Sequence, residues 1–171
     1  MARDAQVPQM KWILLSQDIR PSSLALETNR EIVKRHLQLI SQGDAKGAAG
    51  LFAPTSLNHG RQVSRESIAK VFESLVMLEE HFTIHEMVAE GDWVACRATV
   101  TGRHSVQPSV PVGSGVYNLA QPLGQAYTIQ HLHFFRVVGG QIVEHWANRD
   151  DLGAARQLGL ELGPLNKERN S

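Results

Sequence analysis

The segment "HLHFF" places His131, His133 and Phe135 on one face of an extended run, because side chains alternate along a strand, and Leu132 and Phe134 on the other. Two imidazoles sharing a face with a phenyl ring suit a lined pocket, in which a neutral ring nitrogen can shuttle protons near neutral pH. A pair of core histidines satisfied by their neighbours would give the same pattern. A metal reading lacks its third ligand: a cupin-like pair wants a glutamate four or five residues after the second histidine, and the next acid is Glu144. No bound metal is expected.

A second cluster, "HWANRDDLGAARQLG" over 145–159, follows an apolar run. Within "IVEHWAN", Val143, His145 and Ala147 share one face and Glu144, Trp146 and Asn148 share the other, and either set could look into a pocket with His133. His104 closes a strand ahead of a long loop, and His59 lies with Asn58 in "SLNHGRQVS", ahead of a helix. Convergence of these groups would give catalytic His133, His145 and Asp150, with His131, His59, His104, Trp146, Asn148 and Phe135 against a substrate. Asp150 carries two readings. As an N-cap its carboxylate accepts orphan backbone N–H groups and stays ionised; as a base it would need burial and an imidazole partner. Asp151 suits the first turn of a helix, Arg149 and Arg156 read as surface charges, and His81 and His85 read as structural.

Other mechanisms lack their parts. There is no GxSxG elbow, no phosphate-cradling glycine loop and no dinucleotide fingerprint. The single cysteine, Cys96, has no activating neighbour in sequence and cannot form an internal disulfide.

The elements that must position these groups follow from periodicity. "TNREIVKRHLQLISQGD" reads as a helix opened by the Thr28–Glu31 capping pair, and a short helix fits Asp44–Phe52, stopped by Pro54. A third helix starts at Ser64, with Ile68, Phe72 and Leu75 on its apolar stripe. From Phe82 the period changes to two. "FTIHEMVAE" and "WVACRATVTGRH" form one hairpin across Gly91-Asp92, and "AYTIQHLHFFRVV" and "QIVEHWAN" a second across Gly139-Gly140. The roughly twenty residues between the hairpins are rich in Pro, Gly and Ser, a length that marks a functional or disordered loop. Asp150 opens a last short helix that stops at Gly159. Helices, then a meander of strands, then a closing helix describe an α+β fold with a cavity between curved sheet and helices.

The chain has 171 residues, 42% of them hydrophobic, with 17 basic and 17 acidic residues, which suits one globular domain without a net field toward nucleic acid or an anionic membrane. The run "WILL" is too short for a membrane span, and a cytoplasmic location is expected. Residues 1–27 show no period and read as an extension, partly mobile or packed on a partner subunit, ahead of a single domain over 28–171.

"AEGDWVACRATVTGRH", "QPLGQAYTIQHLHFFRVVGGQIVEHW" and "DLGAARQLG", in this order, resemble the SnoaL-like polyketide cyclases, or ester cyclases, of the nuclear transport factor 2-like superfamily. The resemblance spans roughly 28–160. It implies a cone-shaped curved antiparallel sheet packed around N-terminal helices, and a homodimer. It further implies an enzyme of secondary metabolism and antibiotic biosynthesis that closes a ring in a small apolar polyketide by a cofactor-free aldol step. His133 matches the family's pocket histidine, His131 a polar pocket position, and His145 the histidine of the last strand. The family's acid–base aspartate falls two residues after that histidine, where this chain has Ala147. Either Asp150 or a histidine takes over, or the pocket serves a hydratase, isomerase or epoxide-opening reaction, or a non-catalytic ligand-binding role.

Overall fold

The computed structural model describes residues 23–161, with side chains from residue 26 onward, so residues 1–22 of the expected extension over 1–27, and residues 162–171, lie outside it. The elements run α1 (Ser23–Ser41), α2 (Ala45–Gly50), β1 (Phe52–Asn58), β2 (Arg61–Ser64), α3 (Arg65–Met77), β3 (His81–Glu90), β4 (Trp93–His104), α4 (Val116–Leu119), β5 (Gln125–Val138), β6 (Gln141–Arg149) and α5 (Asp151–Gln157). Six strands form one sheet in the order β2-β1-β6-β5-β4-β3. The sheet is antiparallel except that β1 lies parallel to β6, which corrects the all-antiparallel expectation. Among the described residues no helix is long and apolar enough to cross a membrane.

Two further expectations are corrected. α1 begins at Ser23, so Thr28 lies within the helix instead of capping it. The stretch read as a loop around His59 is a hairpin: His59 and Gly60 both adopt positive φ (51° and 75°), the conformation of a two-residue turn joining β1 to β2. Side chains cap the starts of α2 and α3. Asp44 accepts from Gly47 N–H at the start of α2, and Ser64 accepts from Ser67 N–H at the start of α3.

The inner face of the sheet is written in the period-two burial of its long strands. On β5 the buried residues are Tyr127, Ile129, His131, His133, Phe135 and Val137, and on β4 they are Val94, Cys96, Ala98, Val100 and His104. Val33, Leu37 and Ile40 of α1 and Ile68, Phe72 and Leu75 of α3 cover this face, and at 3.6 residues per turn each set forms one stripe. The outer face leaves Val88, Leu132, Phe134 and Trp146 exposed, with Trp93 stacked on Phe134 at 4.6 Å.

Candidate functional site

Strand register determines which side chains meet. His131 lies opposite Arg149, His133 opposite Ala147 and Phe135 opposite His145. Because the residue facing His133 is an alanine, its ring has room to reach diagonally to His145 on the neighbouring strand. The rings join nitrogen to nitrogen: His131 Nδ1 lies 3.2 Å from His133 Nε2, and His133 Nδ1 lies 3.1 Å from His145 Nε2. The series ends at Asn58, whose Oδ1 stands 3.0 Å from His145 Nδ1. β1 delivers Asn58 there because it runs parallel to β6 with Asn58 paired to His145, and the His59 N–H donates to the His145 carbonyl at 3.0 Å.

This terminus gives the series a direction. A carboxamide oxygen only accepts, so His145 donates from Nδ1 and is left to accept at Nε2. His133 then donates from Nδ1, and His131 does the same. The remaining nitrogen, His131 Nε2, is buried and has no partner among the described residues. A buried acceptor left open costs free energy, so its persistence needs an explanation.

His131 lines a cavity of about 170 Å³ between sheet and helices, shared with His36, Asn58, His59, Glu80, Phe82 and Arg149 among others. A larger concavity, about 520 Å³, lies on the outer face beside Val88, Leu132 and Trp146. Its charged residues, Glu86 and Arg97, already pair with each other at 2.6 Å, and of the histidine series only His133 lines it, whereas His131, His133 and His145 all line the inner cavity. The inner cavity is the candidate site.

Burial controls protonation here. His131 is 3% exposed, and desolvation, aided by the Arg149 charge, takes its pKa down to about 3. Desolvation also holds His133 and the partly exposed His145 well below the usual imidazole range, with neighbouring cationic charge adding to it. His36, wedged among Phe52, Phe72 and Phe135, falls to about 4 for the same first reason. The rings are neutral at physiological pH. They are also engaged in series, so their nitrogens do not converge on one point, and no group of three such ligands suited to a metal ion occurs among the described residues.

The structure brings His131, His133, His145 and His59 together at the cavity. The other candidates lie elsewhere. Trp146 and Asn148 point to the outer face with Glu144, so the inward set of the last strand is His145 and Ala147. Phe135 is fully buried behind the histidines, stacked on His145 at 4.6 Å, and His104 is buried beside Tyr117, away from the cavity lining. Asp150 is an N-cap: its carboxylate accepts from Gly153 N–H at 2.8 Å, and it is absent from the cavity lining. Asp150→Ala is therefore expected to lower stability by about 1 kcal/mol through the lost cap, read as a shift in the urea midpoint at constant slope.

Two functional candidates escaped the sequence reading. Arg149, expected at the surface, alternates inward with Ala147 and packs over Gly113 of the long loop. Gly113 has φ 63°, which strains any other residue, and a Cβ there would stand 2.5 Å from the guanidinium and displace it. Glu80, which no motif in the sequence marks, is buried against the cavity.

The sequence profile of the SnoaL-like polyketide cyclases matches residues 30–158. Solved structures similar to this chain include AclR, a candidate hydroxylase from Streptomyces galilaeus, at 22% identity over 78% of this chain and 97% of that one, with a TM-score of 0.63. IdmH, a candidate polyketide cyclase from Streptomyces antibioticus, is 25% identical over 77% and 99%, with a TM-score of 0.61. TsrD from Streptomyces laurentii is 20% identical over 79% and 97%, with a TM-score of 0.64. No protein of curated function matches the chain.

Proposed function

From the premise that this chain belongs to the SnoaL-like polyketide cyclase family, we propose that it closes a ring in a small polyketide-type carbonyl compound by acid–base chemistry, with His131 Nε2 as the base. The observation that carries the reading is the open, buried Nε2 of His131, held in acceptor form at the head of a series ending on Asn58. Imidazole removal of a C–H flanked by a carbonyl transfers no electrons to a cofactor, so none is called for in this step. The proton passes to Nε2, and the electron pair forms the enolate. The enolate carbon attacks a second carbonyl in the same molecule, forming the C–C bond, and the new alkoxide takes the proton back. Held in the cavity, the step is unimolecular and gains from positioning.

The low basicity of a desolvated imidazole is offset while the proton is held, because the enolate formed beside it compensates the charge. The series also allows positive charge to move from His131 through His133 to His145, whose Nδ1–H is held by Asn58. In this reading His131 is catalytic, and His133, His145 and Asn58 are positioning residues. They occupy the place of the aspartate that the family resemblance puts at Ala147, directly opposite His133.

The cavity volume lies below the ~300–1,000 Å³ of pockets that enclose drug-sized ligands, so the reacting end enters while a longer substrate extends outward. A short linear 1,5-diketone, heptane-2,6-dione, is a suitable probe. In deuterated water the protein is expected to exchange the α-protons of the probe and form the cyclic β-hydroxy ketone, which goes on to the cyclohexenone by loss of water, with or without a chelator. An exchange rate equal to that of buffer would end this reading.

A further inference from the structure

Glu80 is 2% exposed, and its Oε2 has no partner among the described residues. Its Oε1 accepts from Tyr127 O–H at 2.9 Å. Its position follows from how α3 ends. Glu79 takes a left-handed conformation (φ 53°), Glu79 N–H donates to the Val76 carbonyl at 3.0 Å, and Glu80 N–H donates to the Leu75 carbonyl at 3.1 Å. This is the paired closure of a Schellman motif, in which the residue at the place of Glu80 normally packs an apolar side chain inward against the last turn. Here that position carries a carboxyl. Gly102 completes the arrangement: a Cβ there would stand 2.4 Å from the Tyr127 ring and 2.8 Å from the Leu78 carbonyl, so glycine gives Tyr127 the space it occupies beside Glu80.

One cavity therefore contains two buried, proton-active side chains with an unpartnered atom each, one on the sheet and one at the end of a helix. We propose that Glu80, as a neutral carboxylic acid oriented by Tyr127, donates the hydrogen bond that holds the carbonyl oxygen of the substrate as the base removes the neighbouring C–H. This assignment rests on the function proposed above and adds its missing electrophilic half. The C–H electron pair moves into the new C=C bond, charge develops on oxygen, and the Glu80 O–H meets that charge without leaving its own oxygen. Burial raises the Glu80 carboxyl to about 7, opposed by the Tyr127 hydrogen bond and the Arg149 charge and assisted by Asp151. Tyr117, Tyr127 and His131 are the remaining titratable groups around this end of the cavity, and burial keeps both phenols un-ionised and the imidazole neutral.

The test compares the parent with Glu80→Met and Glu80→Gln, using heptane-2,6-dione as the probe. Methionine suits the apolar position of the motif and removes the donor, so the folded protein is expected to keep its melting temperature while α-proton exchange falls by roughly 10²–10³-fold, the usual loss for one oxyanion donor. In the parent, exchange above the buffer rate should decline roughly 25-fold from pH 6.5 to 8.5, as the neutral fraction of a group titrating near 7 declines, and Glu80→Gln should remove that limb. The infrared carbonyl stretch of the bound diketone should rise in frequency in Glu80→Met. Parent-like exchange in Glu80→Met, or a limb that persists in Glu80→Gln, would overturn the assignment. A parent that never exchanges the probe, but whose bound carbonyl stretch still depends on Glu80, would retain the donor and remove only the ring-closing chemistry.

Discussion

His131→Phe is expected to lower α-proton exchange of heptane-2,6-dione by two to four orders of magnitude, the range over which a positioned general base contributes. Phenylalanine keeps an aromatic ring at the position that meets Phe82 edge-on at 5.9 Å, so the core remains filled while the open nitrogen is lost. Asn58→Asp provides the opposite arm. A carboxylate in place of the carboxamide still accepts from His145 Nδ1 and stabilises an imidazolium in the series, so it should raise the basicity of the chain and the exchange rate with it. Equal rates in parent and His131→Phe, measured by proton NMR in deuterated buffer, would place the base elsewhere.

The same buried rings should make the protein acid-labile. A histidine with a folded pKa below its unfolded value takes up protons preferentially on unfolding, so its contribution is intact above about pH 6.5 and is lost as pH falls toward the folded value. For His36, at about 4 when folded, and His131, at about 3, the loss at pH 5 is about 2 kcal/mol each. His133 and His145 act in the same direction. Glu80 has the opposite sign: its raised pKa contributes fully below about 4.5, and that contribution fades as pH rises through 7, by about 3 kcal/mol over the interval. The histidines outnumber it. Stability should therefore level off near pH 7 and fall by several kcal/mol toward pH 4, a large share of the ~5–15 kcal/mol of a domain. Urea titrations from pH 4 to 8 give this curve directly. A midpoint unchanged between pH 6.5 and 5 would mean that the histidines are already charged, or solvated, in the folded protein.

Much of this was legible in the residues. The alternation of "HLHFF" put His131 and His133 on the buried face of β5, and the switch from helical to two-residue period at Phe82 located both long hairpins. The resemblance singled out Ala147, which the structure places opposite His133 on the cavity side. What sequence could not supply was contact between segments far apart in the chain. Asn58 meets His145 only because β1 pairs parallel with β6, and the β1–β2 hairpin was hidden by a His-Gly turn in place of the usual Asn-Gly and by Pro54 within its first strand. Glu80 carried no sequence signal, because the left-handed Glu79 that turns the next side chain inward leaves no mark in composition. Arg149 required knowledge of which face of β6 points inward, a choice that strand alternation alone leaves open.

The direction of the histidine series decides whether the cavity contains a base, and nitrogen-15 NMR of the labelled imidazoles at pH 7 reads it without any substrate. Signals assigned through His131→Phe and Asn58→Asp should show His131, His133 and His145 neutral and protonated at Nδ1, with the Nε2 resonance of His131 at the position of an unprotonated nitrogen. Protonation of His131 at Nε2 would reverse the series, leave no lone pair facing the cavity and contradict the mechanism.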